Sequence, residues 1–141
     1  MDEQENLNDI TGIFSQSSHP HMTQSAGAYT IAVTVGATGP TYAVVNYPPP
    51  DAAAAAAAAG GRSSVAQSRI VARVKCSSPT EPNYMHSFSI TENYYVIIEQ
   101  PLVIPLNKTV ACIIRGKPLG PALKWRQTEV LSTFIHLTSF I

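Results

Sequence analysis

Charge is scarce in this chain and evenly split, with nine Lys and Arg against nine Asp and Glu among 141 residues. Without a basic excess it lacks the electrostatic footprint of a nucleic-acid binder, and without an acidic one it is no charged disordered tail. Long apolar runs are missing as well: none approaches the roughly 20 residues that cross a bilayer as a helix. Cysteine is limited to Cys76 and Cys112, far apart and in no CxxC pattern, which predicts two reduced thiols in a cytoplasmic protein. The opening MDEQENLNDI is acidic and polar, unlike a signal or transit peptide. There is no nucleophile elbow, no phosphate-binding glycine loop and no cysteine cluster. Proline is plentiful, at eleven residues, and with a run of alanines it argues against a mostly helical chain.

Short β-branched and aromatic runs recur instead. Residues 28–35 (AYTIAVTV) and 41–47 (TYAVVNY) flank GATGP, a hairpin signal. Pro48, Pro49 and Pro50 end the second strand, because proline donates no ladder hydrogen bond. Residues 68–76 (SRIVARVKC) alternate, with Ile70, Ala72, Val74 and Cys76 expected on one face. Residues 84–90 and 94–100 read as a strand pair about Thr91, Glu92 and Asn93, and 131–137 (LSTFIHL) as a last strand. Between these lies DAAAAAAAAGGRSS, residues 51–64. Alanine favours helix, but eight alanines bury little and so short a helix is marginal alone, so this segment is expected to be an expanded surface linker with a frayed turn or two. Residues 106–115 predict a short helix capped by Asn107 and stopped by Gly116 and Pro118. Residues 1–14 are expected to be a frayed terminus and 138–141 a tail. The class this pattern predicts is all-β: a sandwich, barrel or propeller.

Four histidines, His19, His21, His86 and His136, make imidazole ligation of a metal the chemistry to weigh. In His19-Pro20-His21 proline biases its predecessor toward extended chain, where residues two apart point the same way. Spacing alone leaves open whether both bind, one binds, or both pack. His86 sits among aromatics and His136 in an apolar strand, environments in which a histidine commonly serves as a hydrogen-bonded packing residue.

The stretch HSFSITENY (86–94), followed by EQPL (99–102), resembles the carotenoid cleavage oxygenases, and SHPH (18–21), RGKPL (115–119) and FIHL (134–137) continue the resemblance in order across about residues 15–137. It is most similar to the insect carotenoid isomerooxygenases. The resemblance implies a seven-bladed β-propeller carrying a ferrous ion, Fe(2+), on four neutral histidines, of which this chain would supply about two blades. By position it implies His19 and His86 as metal ligands and gives His21 and His136 no such role. The remaining ligands of the family fall in later blades, and Glu81, Glu92, Glu99 and Glu129 match none of the carboxylates that orient them.

The function so implied is iron-dependent oxidative cleavage of a carotenoid polyene double bond by dioxygen, giving retinal-type aldehydes. The isolated chain is expected to be inactive, as it carries two of four ligands. Two alternatives stand beside this one: a retinyl-ester isomerohydrolase, and a non-catalytic propeller fragment. The implied partners are a carotenoid or retinoid and dioxygen, with no nucleic acid. Leu106, Val110, Ile113 and Ile114 are candidates for peripheral membrane contact; the competing reading packs the same helix on its own sheet.

Overall fold

The computed structural model describes residues 12–23, 25–58, 60, 66–127 and the backbone of 132–137. Among the described residues ten strands form three antiparallel sheets with two α-helices beside them, so the chain is all-β as its pattern implied. The central hairpin joins β3 (Gly27–Gly36) to β4 (Gly39–Tyr47), with Ala28 opposite Tyr47 and Gly36 opposite Gly39. β5 (Arg69–Lys75) pairs with the far side of β4. β-Branched and aromatic side chains suit a surface covered on both faces, and every residue from Tyr29 to Thr34 is buried. Gly27 has φ +82°, and a Cβ there would collide with the Tyr47 carbonyl oxygen, so only glycine lets the two backbones approach so closely.

The free edge of β3 is covered by a broken strand. β1 (Ile13–Gln16) pairs with one half of β3 and β2 (His21–Thr23) with the other. Gln16 lies opposite Ala32 and His21 opposite Tyr29. Four residues therefore span a gap that two span on β3, and the chain bulges off the edge at residues 17–20. Pro20, with no N–H to give, cannot pair there. β1 also corrects the expectation of a frayed terminus through residue 14, because Ile13 is buried against Ala32 and Val45.

A second sheet, order β10-β7-β6, comprises β6 (Ser89–Ile90), β7 (Tyr94–Glu99) and β10 (Ser132–Leu137). The main core lies between the sheets: Tyr29, Ile31, Val33, Tyr42 and Val44 meet Phe88, Tyr95 and Ile97. β8 (Leu102–Val103) and β9 (Lys124–Trp125) form a small third sheet. Only Ser89 and Ile90 of the expected strand over 84–90 join β7. Upstream, Tyr84 N–H donates to Leu102 O and Ile104 N–H to Pro82 O, tying residues 82–84 to β8 instead.

Three further expectations are corrected. A register shift in the β4–β5 pairing turns Ile70 toward Val45 and Ile13, while Ala72 and Cys76 face Tyr42, so the four residues read onto one face divide between two. The alanine run is a helix, α1 (Pro50–Ala58), not an expanded linker. Pro50 is pre-set for a helix start, Asp51 complements the dipole in the first turn, and Ala53 N–H bonds to Pro49 O at 2.9 Å. The second helix, α2 (Leu106–Ile114), is capped by Pro105 rather than Asn107. Thr109 donates both its N–H and its hydroxyl to the Pro105 carbonyl, each at 3.0 Å. It ends in a Schellman arrangement, Lys117 N–H to Cys112 O and Gly116 N–H to Ile113 O, with Gly116 at φ +60°.

Ile97 is fully buried at the centre of the main core. Truncation to alanine should cost about 2–5 kcal/mol, whereas Val35→Ala on the exposed end of β3 should cost under about 0.5 kcal/mol. Urea midpoints of the two variants, compared at equal slope, check the contrast.

Candidate functional site

The bulge at residues 17–20 delivers His19 to the ring of His86, 67 positions away in sequence. Their ring centroids are 4.5 Å apart with planes inclined at 53°. Two imidazoles bound side by side to one ion, at right angles and with each nitrogen about 2.1 Å from it, have centroids about 4.6 Å apart. The ring separation is compatible with two imidazoles sharing an ion, and both residues are exposed. Among the described residues no third His, Cys, Asp or Glu completes a cluster with them.

His86 is held by its surroundings. Met85 and Phe88 beside it are buried in the core, leaving the His86 and Ser87 side chains outside. Tyr84 stacks on the His86 ring at 6.2 Å and 27°. From the opposite segment the Ser17 hydroxyl donates to the His86 carbonyl and accepts the His19 N–H at 3.2 Å. An open cavity of about 580 Å³ begins at His86 and is lined by Tyr84, Phe88, Val96, Ile98 and Leu102, a mainly apolar wall.

The other histidines are placed differently. His21 uses Nε2 on the Phe88 carbonyl at 2.7 Å and meets the Phe88 ring edge-on at 4.9 Å, so its imidazole is engaged in packing the two sheets. His136 pairs through its backbone with Tyr95.

Below the pair lies a buried polar cluster that pattern and spacing did not indicate. The Tyr42 hydroxyl lies 2.7 Å from Glu99 Oε1 and 3.0 Å from Asn83 Oδ1, and it accepts the Asn83 N–H at 3.0 Å. Its single proton goes to the carboxylate, the stronger acceptor. Ser77 N–H also donates to Glu99 Oε1 at 3.0 Å, and Asn83 Nδ2 donates to Gln100 O. This cluster joins β4, β7 and the 77–83 segment, three residues before His86. Burial, then the bond to Glu99, pushes the Tyr42 phenol far above its ordinary value. Burial likewise pushes the Cys76 thiol up to about 11, which makes it inert as a nucleophile.

The class defined by fold and site is an antiparallel all-β protein presenting two paired imidazoles beside an apolar cavity. The chain belongs to the carotenoid cleavage oxygenase family: the family model described as retinal pigment epithelial membrane protein matches residues 2–137. Among similar proteins are the carotenoid isomerooxygenases of Drosophila melanogaster, 30% identical over 92% of this chain and 19% of that one, and of Galleria mellonella, 31% identical over 87% and 22%. The beta,beta-carotene 15,15'-dioxygenase of Mus musculus is 27% identical over 86% of this chain and 21% of its own. The chain thus spans about a fifth of the length of these curated relatives.

Alkaline pH should test the buried groups. A thiol raised from 9.0 to about 11 keeps its proton in the folded state while the unfolded chain releases it. Its contribution is therefore complete below pH 9 and is lost as pH rises toward 11, on the order of 2 kcal/mol. Tyr42 adds a loss of the same sign beginning above pH 10. Urea midpoints at pH 8, 9 and 10 should fall for the native sequence, and Cys76→Ala should flatten the fall between pH 9 and 10.

Proposed function

We propose that the chain is part of an iron(II)-dependent carotenoid dioxygenase in which His19 and His86 are two of the metal ligands. The observation that carries this reading is the meeting, at 4.5 Å, of two rings that lie 67 positions apart in sequence. Neutral imidazoles suit ferrous iron and leave its charge intact. When bound, that ion supplies dioxygen activation next to a polyene double bond. The protein's own residues supply the rest: Tyr84 and Ser17 orient the His86 segment, and the largely apolar cavity beside His86 receives a hydrocarbon chain. The three antiparallel sheets are read as parts of a propeller whose remaining ligands lie outside this sequence.

Substrate of this kind resides in membranes, and α2 offers a contact surface. Val110, Ile113 and Ile114 are 51%, 55% and 79% exposed, with Leu106 half-buried, and Trp125 is 60% exposed. Residues 101–127 contain Lys108, Arg115, Lys117, Lys124 and Arg126 and no acid. No helix among the described residues is long and apolar enough to cross a bilayer, so α2 lies on the surface in this reading. Ile113→Asp with Ile114→Asp should reduce cosedimentation with phosphatidylcholine vesicles at least several-fold, with an unchanged circular dichroism spectrum.

Two ligands hold a divalent ion weakly, so the isolated chain should bind ferrous iron at worse than micromolar affinity and show no turnover of β-carotene. Anaerobic titration checks this. Binding weakened further by His19→Ala and by His86→Ala supports the pair, whereas weak binding indifferent to both substitutions removes it. Stoichiometric binding at micromolar or tighter affinity, lost in either variant, would overturn the view of the isolated chain as inactive.

A further inference from the structure

We propose that Ser17 is the positioning residue of the histidine pair, a single-atom clasp that sets where the His86 segment sits relative to His19. The inference rests on the reading of the pair as metal ligands only for its consequence; the clasp itself is a matter of hydrogen bonds. Every polar group of Ser17 is engaged. Its N–H donates to Ile31 O at 2.9 Å, and its carbonyl accepts the Thr30 hydroxyl at 2.9 Å. Its own hydroxyl donates to the His86 carbonyl and accepts the His19 N–H. The residue is 9% exposed although both neighbours in the bulge, Ser18 and His19, are exposed.

The arrangement matters because the two histidines belong to segments with no ladder between them. His19 sits where the edge strand leaves β3, and residues 85–88 lie in no strand. Burial of Met85 and Phe88 fixes how deep the His86 segment lies, Asn83 is tied to Tyr42 upstream and the Phe88 carbonyl to His21 Nε2 downstream, and the Ser17 hydroxyl is the tie at His86 itself. The route from His19 N–H to His86 C=O passes through one oxygen, so the two backbones are locked within a few ångströms. That oxygen must donate and accept at once, which a hydroxyl does and a methyl cannot. Thr30, fully buried on β3, holds Ser17 from below and ties the clasp to the most rigid part of the sheet. Ligand pairs lose affinity steeply when their relative placement is loose, because ordering them must then accompany binding.

The test compares the native chain with Ser17→Ala and Ser17→Thr, metal-free and then with ferrous iron under anaerobic conditions. In the metal-free native chain the His19 and His86 ring protons should show a mutual nuclear Overhauser effect. The His19 amide should exchange at least 10-fold more slowly than that of Ser18. Ser17→Ala should abolish the ring contact, and lower ferrous affinity about 10-fold, to the level of His19→Ala; Ser17→Thr, which keeps the hydroxyl, should restore both. A Ser17→Ala chain that retains the ring contact overturns the proposal. So does a native His19 amide that exchanges as fast as Ser18, a measurement that stands even if the alanine variant fails to fold. If the native chain binds no iron through its histidines, the metal reading fails, while the ring contact and amide exchange still decide the clasp.

Discussion

The Tyr42 hydroxyl meets the Glu99 carboxylate at 2.7 Å inside the chain, where Glu99 is 5% exposed, and the packing of the two main sheets is built around that contact. A carboxylate taken out of water costs several kcal/mol unless its lone pairs are met. Here Tyr42 reaches it from β4 and Ser77 from the loop after β5, while Asn83 closes the far side of the phenol. Hydrophobic contacts between Tyr42, Val44, Tyr95 and Ile97 supply the drive to bring the sheets together. Apolar packing alone specifies a register less sharply than directional bonds do. The polar cluster chooses one, because any displacement leaves buried groups unpaired. Asn83 carries that anchoring to within three residues of His86.

What the sequence disclosed follows from the range of each interaction. The β3–β4 hairpin and α2 were legible because their signals are local: alternating β-branched residues about a short turn, and apolar spacing that Gly116 and Pro118 stop. α1 was misjudged because alanine carries no amphipathic pattern, and the decisive contributions came from Pro50 and Asp51 at its start. β1 and β2 escaped notice because an edge strand that shows most of its side chains to water reads as polar loop; only Ile13 of β1 is buried. The segment over 84–88 misled in the opposite way. Buried Met85 and Phe88 frame exposed His86 and Ser87, a core-facing pattern, yet its backbone joins no ladder. Inward-facing residues show what is buried and not which strand lies alongside.

The site divided similarly. His19 and His86 were picked out by their flanking motifs, never by periodicity, and the structure brings those two rings together while it turns His21 to Phe88. Ser17, Thr30, Tyr42, Asn83 and Glu99 gave no signal because each is an ordinary residue in its own stretch. The bonds that join Ser17 to His86 and Tyr42 to Asn83 and Glu99 link positions 41 to 69 apart. A serine before a histidine is common, and only the fold shows that its oxygen reaches a carbonyl on another segment.

This division bears on how the proposed ligand pair is made ready. Had His19 and His86 sat on one strand, local backbone geometry alone would fix their spacing, and neither ring could move without the other. Placed on separate segments, they need ties that do not involve the ion, or the ordering cost falls on metal binding. The chain supplies those ties twice over: a hydroxyl clasp at the backbones and a buried polar cluster three residues upstream of His86. Both consist of hydrogen bonds within the protein, so both form as the protein folds. The imidazoles can then stay exposed at the surface of a rigid support. If the pair holds a metal as proposed, coupling between folding and ligation should be weak, since the geometry of the pair is set by groups outside the two rings.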